Sequence, residues 1–390
     1  MAARWRRVGA NLALALGSLC ACGAVFEIAA RVALRRAPES LSERYTEPDP
    51  VRGWRHRPGA RARFGAADLL INSHGLRDLE RPVEPAPGVE RVLVLGDSFA
   101  EGFSVRLEDA VSRALERELR ATGCITEVIG GGTVGYSTDQ EYLFYRDEGV
   151  AYGAKVVVLL FYYNDILYNA RDAAPAGVPK PLFTFMGGTP RIRNYPLPPY
   201  APPRPEYWRG SAALTWARRR LSSGAPGLYN VLARLRLWSP LRPGELPLEM
   251  RIYEPEPPEG VVQAQLQTEH ILELLDREVK AHGARLLVAY IPSKLEVTGR
   301  DWELTRRRYQ IDERRFDRGR VARLLRRSGR KIGVPVIDLT PALQRADRGR
   351  GEGPYFEHGG HWNALGHSVA AREIATTLQE DGWMPCMRRR

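Results

Sequence analysis

Lysine is nearly absent from this 390-residue chain: it stands only at positions 155, 180, 280, 294 and 331, although lysine and arginine together number 58. The formal charge of +12 is therefore carried by arginine, spread along the chain with acidic residues between. Ile311–Arg330, IDERRFDRGRVARLLRRSGR, shows the mixing. With no recognition motif and no interleaving of aromatic and basic residues, this pattern speaks against nucleic acid as a partner. It reads instead as solvated helix faces. Cysteine is scarce too, with Cys20 and Cys22 in an apolar stretch and only Cys124 and Cys386 elsewhere. His358, His361 and His367 lack the HExxH spacing and have no cysteine or carboxylate cluster beside them, so neither a metal nor a cofactor is expected. At the amino terminus a long apolar run stands out: Val8–Phe26, 19 residues without a charge, behind Arg4, Arg6 and Arg7. It approaches the roughly 20 residues of a membrane-spanning helix. Three readings stand, namely an uncleaved signal anchor, a lipoprotein signal ending at Cys22, and a cleaved secretion signal. The anchor, residues 1–36, is favoured because Ala24–Leu34 stays largely apolar past any cleavage point.

What is present is a globular composition, 44% hydrophobic and 27% charged, so the remainder folds. Its organising stretch is Arg91–Gly102, RVLVLGDSFAEG. Val92–Leu95 reads as a strand buried on both faces, and Gly102–Arg120 carries apolar residues at helical spacing. Ser98 thus falls on a strand-to-helix turn, at the carboxyl edge of a sheet where open α/β folds bind ligands. Further strands are expected at Ile125–Ile129, Lys155–Tyr163, Arg285–Ile291 and Val334–Leu339. Helices are expected at Ser137–Glu148, Val261–His282, Arg314–Ser328 and Ala364–Gln379. Such alternation means a doubly wound parallel α/β sheet. Residues 37–88, rich in Pro, Gly and Arg, read as a linker and edge decoration. Residues 89–384 form the main domain. Within it the Pro- and aromatic-rich insertion 166–260 follows a strand end, where a substrate-covering lid would sit.

Four points collect at strand ends: Ser98, Gly132, Asn164 and, before the last helix, His361. A serine attacks a carbonyl only if a base takes its proton, and a neutral histidine suits that work. The backbone N–H groups of Ser98 and Gly132 and the Asn164 side-chain amide can hold the resulting oxyanion. This order resembles the SGNH/GDSL hydrolase family, through Gly96-Asp97-Ser98-Phe99, Gly130–Gly135, Asn164-Asp165 and His361. The Asn72-Ser73-His74-Gly75-Leu76-Arg77 stretch and His361-Trp362-Asn363-Ala364-Leu365-Gly366-His367 are similar to those of membrane-anchored bacterial members. The resemblance implies a flavodoxin-like three-layer α/β/α sandwich and a periplasmic domain held at the inner membrane. It also implies an esterase or O-acyltransferase acting on acyl groups, chiefly acetyl, of a cell-envelope carbohydrate. A non-catalytic glycan-binding protein and a lipid-active esterase are the alternatives.

Three positions depart from the family pattern. His358 occupies the slot of the usual triad aspartate, which leaves Glu357, a backbone carbonyl or a plain Ser–His dyad to serve His361. Gly130 replaces an asparagine before the second-block glycine, and Tyr162 replaces the third block's glycine. In a flavodoxin-like sheet the first and last helices share a face. Cys124 and Cys386, which follow those helices, are then either disulfide-bonded or two free thiols.

Overall fold

The computed structural model describes residues 2–35, 44–64, 67–174, 177–187, 189–197, 211–225, 228–229, 231–232, 246–309, 311–348, 353–357, 359–384 and 386. The chain forms two compact units, 1–39 with 202–243 and 40–201 with 244–390. The insertion 166–260 is therefore divided between them.

In the first unit one helix runs over Ala2–Arg35, and its stretch Gly9–Val32 is long and apolar enough to cross a membrane. Glu27 interrupts that stretch, and its carboxylate accepts from Ser211 Oγ at 2.6 Å and from the Ala212 and Ala213 amides at 2.8 and 3.0 Å. Those amides open the helix Ala212–Gly224, so the carboxylate satisfies N–H groups that no helical carbonyl reaches. Phe26 packs edge-on against Trp216 beside it.

The second unit is built on five parallel strands: β1 (Glu90–Gly96), β2 (Thr126–Gly132), β3 (Val156–Tyr162), β4 (Arg285–Ile291) and β5 (Val336–Asp338). Their spatial order is β5-β4-β3-β1-β2, so the winding reverses beside β1. This is the flavodoxin-like order, and ligands bind outside the strand ends at such a reversal. Side chains alternate as the pleat requires. Val92 and Val94 with Val156 and Val158 face Val111, Leu115 and Leu119 of one helix and Ile374 and Leu378 of the last. Leu93 and Leu95 with Val157 and Leu159 face Leu143, Ile271, Leu275, Val321 and Leu325. The helices that matter for the site and the sheet faces are α1 (Ser98–Glu101), α2 (Val111–Ala121), α3 (Thr138–Asp147), α4 (Asn164–Tyr168), α5 (Glu259–Ala281), α6 (Arg320–Ile332) and α7 (Ala364–Glu380). Each fully buried aliphatic side chain contributes roughly 1.5–3 kcal/mol, and both faces of β1 are so covered. The result is the expected α/β/α sandwich.

The helix expected over Gly102–Arg120 begins only with α2 at Val111; α1 is a single turn before Gly102, and a 3-10 turn at Leu107–Asp109 lies between them. Gly102, at φ 67°, ends α1 in a left-handed cap, a conformation glycine adopts without strain. Because α2 and α7 share a face, the chain segments after them meet, and Cys124 and Cys386 form a disulfide with Cα atoms 5.7 Å apart.

Candidate active site

Ser98 is the first residue of α1, and the Asp97 carboxylate before it accepts from the Phe99 amide at 2.9 Å. Asp97 is thereby the support of the turn. Burial pushes its pKa up to about 7, partly offset by the Phe99 hydrogen bond. His361 lies in the loop before α7. Its neighbour Trp362 is fully buried, Asn363 caps α7 by accepting from the Gly366 amide at 3.1 Å, and the Phe356 amide donates to the His361 carbonyl at 3.0 Å. With both flanks fixed, the imidazole reaches back across the sheet edge, and Ser98 Oγ and His361 Nε2 lie 2.9 Å apart. The ring sits against Phe99 and Phe103, with centroids 5.0 and 4.9 Å away. Burial holds the His361 pKa below its ordinary value, while the negative charge of Glu101 acts in the opposite direction. At neutral pH the imidazole is thus unprotonated and able to accept a proton.

Gly132 ends β2 hard against α1: a Cβ there would lie 2.2 Å from the Glu101 amide nitrogen and 2.5 Å from the Ala100 carbonyl carbon. Only glycine lets the two backbones approach this closely. Asn164 opens α4 at the end of β3, and its side-chain oxygen is buried without a hydrogen-bond partner among the described residues. Glu357 is placed differently. Its carboxylate is 60% exposed and lies 3.7 Å from Arg300, and its backbone carbonyl accepts from Lys294 at 2.8 Å. His358 lies outside the described residues. Tyr162, in the third block's glycine slot, packs its ring on Phe99 at 4.8 Å. Gly130, in the asparagine slot, donates its amide to Asp78 Oδ2 at 2.9 Å.

Three groups here escaped the sequence reading. Glu101, one helical turn after Ser98, has a completely buried side chain whose Oε2 is 3.2 Å from His56 Nε2 and accepts from the Val134 amide at 2.6 Å. Its Oε1 is buried, and the carboxylate also faces the Tyr45 side chain. His56 faces the Gly75 carbonyl with its other nitrogen, at 3.2 Å. Arg77 donates to the carbonyls of Glu101, Gly102 and Val105 at 2.8, 2.7 and 2.6 Å, filling acceptors left open where α1 ends. So residues 44–88 brace the turn that carries Ser98. The Asn72–Arg77 stretch was the available signal, but nothing local in it says which carbonyls its arginine meets.

Residues 256–387 match the family described as SGNH hydrolase-like domain, acetyltransferase AlgX. No curated protein matches the chain. Among solved structures, a lipolytic-type protein of the G-D-S-L family from Desulfitobacterium hafniense is 12% identical, with a TM-score of 0.37 over 74% of this chain and 99% of its own. A GDSL-like lipase from Bacteroides thetaiotaomicron is 12% identical, with a TM-score of 0.35 over 75% and 89%. The acetylxylan esterase Axe2 from Geobacillus stearothermophilus is 13% identical, with a TM-score of 0.38 over 76% and 96%. These three add nothing to what the sheet order itself shows. Residues 256–387, which carry His361, are thus similar to an SGNH hydrolase-like domain, while Ser98, Gly132 and Asn164 lie before the matched stretch, at strand ends of the same parallel sheet.

Proposed function

We propose that this protein is a serine esterase or O-acyltransferase that acts, through an acyl-enzyme, on ester-linked acetyl groups of a cell-envelope carbohydrate. The observation that carries the reading is the 2.9 Å approach of Ser98 Oγ to His361 Nε2, with the histidine pKa held down by burial. In the first half-reaction His361 takes the Ser98 proton as Oγ bonds to the ester carbonyl carbon. The Ser98 and Gly132 N–H groups and the Asn164 amide hold the oxyanion. Collapse of the tetrahedral intermediate breaks the ester C–O bond, and the alcohol leaves with the proton from His361. In the second half water or a sugar hydroxyl attacks the acyl carbon and gives its proton to His361; the acyl carbon–Oγ bond then breaks, and Oγ takes that proton from His361, restoring Ser98. Water gives hydrolysis, and a hydroxyl gives transfer. The family's acetyltransferase member supports the second route.

Glu101, rather than Glu357, takes the part of the group that acts electrostatically on the imidazole. Its buried carboxylate sits on the same turn as the nucleophile, whereas Glu357 faces Arg300 at the surface. The domain works outside the inner membrane, tethered by Gly9–Val32, a placement supported by the Cys124–Cys386 disulfide. Labelling by a fluorophosphonate probe tests the mechanism: wild type reacts and hydrolyses p-nitrophenyl acetate, and Ser98→Ala does neither. A folded wild type that fails to label would overturn this reading in favour of a glycan-binding role.

A further inference from the structure

Glu27 is the one acidic residue of the apolar stretch Gly9–Val32. A carboxylate so placed is costly unless it is paired, and it marks a function for its partners to share. Those partners are Arg31, one turn on at 2.7 Å, and the start of the helix Ala212–Gly224, which brings the Ser211 hydroxyl and two free amides. Glu27 lies five residues before Val32, about 7.5 Å of helix rise inside the end of the apolar stretch. The packing stays at that level. Ala30 is buried and Glu27 and Arg31 are half-buried, whereas the described residues of Gly9–Phe26 are all exposed. The helix Ala212–Gly224 therefore does not run down the span. It meets the anchor where the anchor leaves the hydrocarbon.

The helix itself is suited to that boundary. Its sequence, AALTWARRRLSSG, holds no acidic residue. Leu214 and Trp216 are exposed, as are Leu228 and Val231 shortly after it, although all four are large and apolar. At about 100° per residue, Leu214, Ala217 and Leu221 fall within an arc of roughly 60°, with the exposed Arg218 and Arg220 flanking it on either side. Long arginine stems let the guanidiniums reach headgroups while the leucines face acyl chains. Trp216 packs on Phe26 with ring centroids 5.8 Å apart, and the Arg220 guanidinium lies 5.8 Å from the Trp216 ring. Tryptophan is enriched at membrane–water boundaries. Arg218 donates to the Tyr229 hydroxyl at 3.2 Å, a neutral partner that leaves its positive charge to attract anionic lipid. Amphipathic helices lying in a membrane surface sink about 5–10 Å into the headgroup and acyl boundary, the depth at which Glu27 sits inside Val32.

We propose that Ala212–Gly224 is a membrane-surface helix, seated among anionic headgroups on the side of the bilayer where the anchor ends and pinned there by Glu27. At these residues the insertion is then a second hold on the membrane and not a cover for substrate. The inference rests on the reading of Gly9–Val32 as a membrane anchor.

The test uses the full chain in vesicles of phosphatidylethanolamine and phosphatidylglycerol. In a Cys20→Ala, Cys22→Ala background, with Cys124 and Cys386 bonded to each other, a nitrobenzoxadiazole label is attached at Leu214→Cys or, on the anchor, at Val25→Cys. Lipids with a doxyl group high on the acyl chain quench a label in the membrane, and iodide quenches one in water. Doxyl lipid should quench the Leu214 label to within twofold of the Val25 label, and iodide should quench it several-fold less than the free dye. Glu27→Leu should cut lipid quenching at Leu214 at least twofold while leaving Val25 unchanged, and Arg218→Glu with Arg220→Glu should do the same. A Leu214 label open to iodide and spared by doxyl lipid, beside a Val25 label that lipid quenches, overturns the proposal and leaves the anchor standing. So does a Leu214 label shielded from both quenchers, which would mean cover by protein, such as a second copy of the chain. Lipid quenching at Leu214 that is indifferent to Glu27→Leu overturns the pinning. A Val25 label that lipid does not quench refutes the anchor, and the surface helix with it.

Discussion

Gly132→Ala probes how closely the nucleophile's turn is fitted to its neighbouring strand. The added methyl carbon would stand 2.2 Å from the Glu101 nitrogen and 2.5 Å from the Ala100 carbonyl carbon. Carbon contacts are comfortable at about 3.5 Å, so one backbone must retreat by roughly 1.3 Å. No flexible side chain can absorb this, since both obstacles are main-chain atoms. β2 is locked by its ladder to β1, with Gly96 opposite Gly132, so the α1 turn is the part free to yield. Ser98 opens that turn, and moving it by that amount takes Oγ from 2.9 Å to beyond hydrogen-bond reach of His361. A misplacement of about 1 Å costs on the order of 100-fold in rate, and overpacking costs about 1–3 kcal/mol of stability. The substitution leaves the residue-132 N–H in place, so the loss measures displacement and not a missing oxyanion donor. Steady-state kcat/KM on p-nitrophenyl acetate, with circular dichroism to show that the variant is folded, makes the measurement. A folded Gly132→Ala enzyme within threefold of wild type would refute the claim that this contact positions Ser98.

Two further outcomes are expected. Because Glu101's charge raises the His361 pKa, Glu101→Gln should lower it further, shifting the acid limb of the kcat/KM profile to lower pH. Glu357→Gln should leave that limb unmoved, and the reverse pattern would return the orienting role to Glu357. Removing the Cys124–Cys386 bond, which spans a sequence separation of 262, should cost up to about 5 kcal/mol on the chain-entropy account. Thermal unfolding of Cys124→Ser should then show a melting temperature lower by on the order of 10 °C, and a melting curve indifferent both to this change and to reductant would contradict it.

The strands that the sequence reveals best are those that sign themselves in apolar side chains. Val92–Leu95, Val156–Tyr162 and Arg285–Ile291 all appear close to their expected bounds. β2 was expected to stop at Ile129, yet it continues through Gly130, Gly131 and Gly132. A ladder needs only backbone groups, and glycines join it without leaving any hydrophobic pattern to read. The helix expected over Arg314–Ser328 runs instead over Arg320–Ile332, since Asp312 and Asp317 engage nearby amides in turns before it starts. At the site, Ser98 and His361 could be paired from sequence because each lies at the end of a periodic segment. Glu101, His56 and Arg77 could not. Their partners lie 24 to 45 residues away, and a charged residue in a polar stretch looks the same whether it is solvated or buried.

The disulfide closes residues 124–386 into a covalent ring. Gly132, Asn164 and His361 all lie inside it, and Ser98 alone is on the open arm. A single proteolytic nick anywhere in the ring leaves both pieces joined in one molecule. A nick between Ser98 and Cys124 would instead part the nucleophile from its base. The long insertion 166–260, where extra length invites proteases, falls in the part of the chain that one cut cannot divide. In an oxidising compartment, a protein wired in this way can outlast damage to its longest connection.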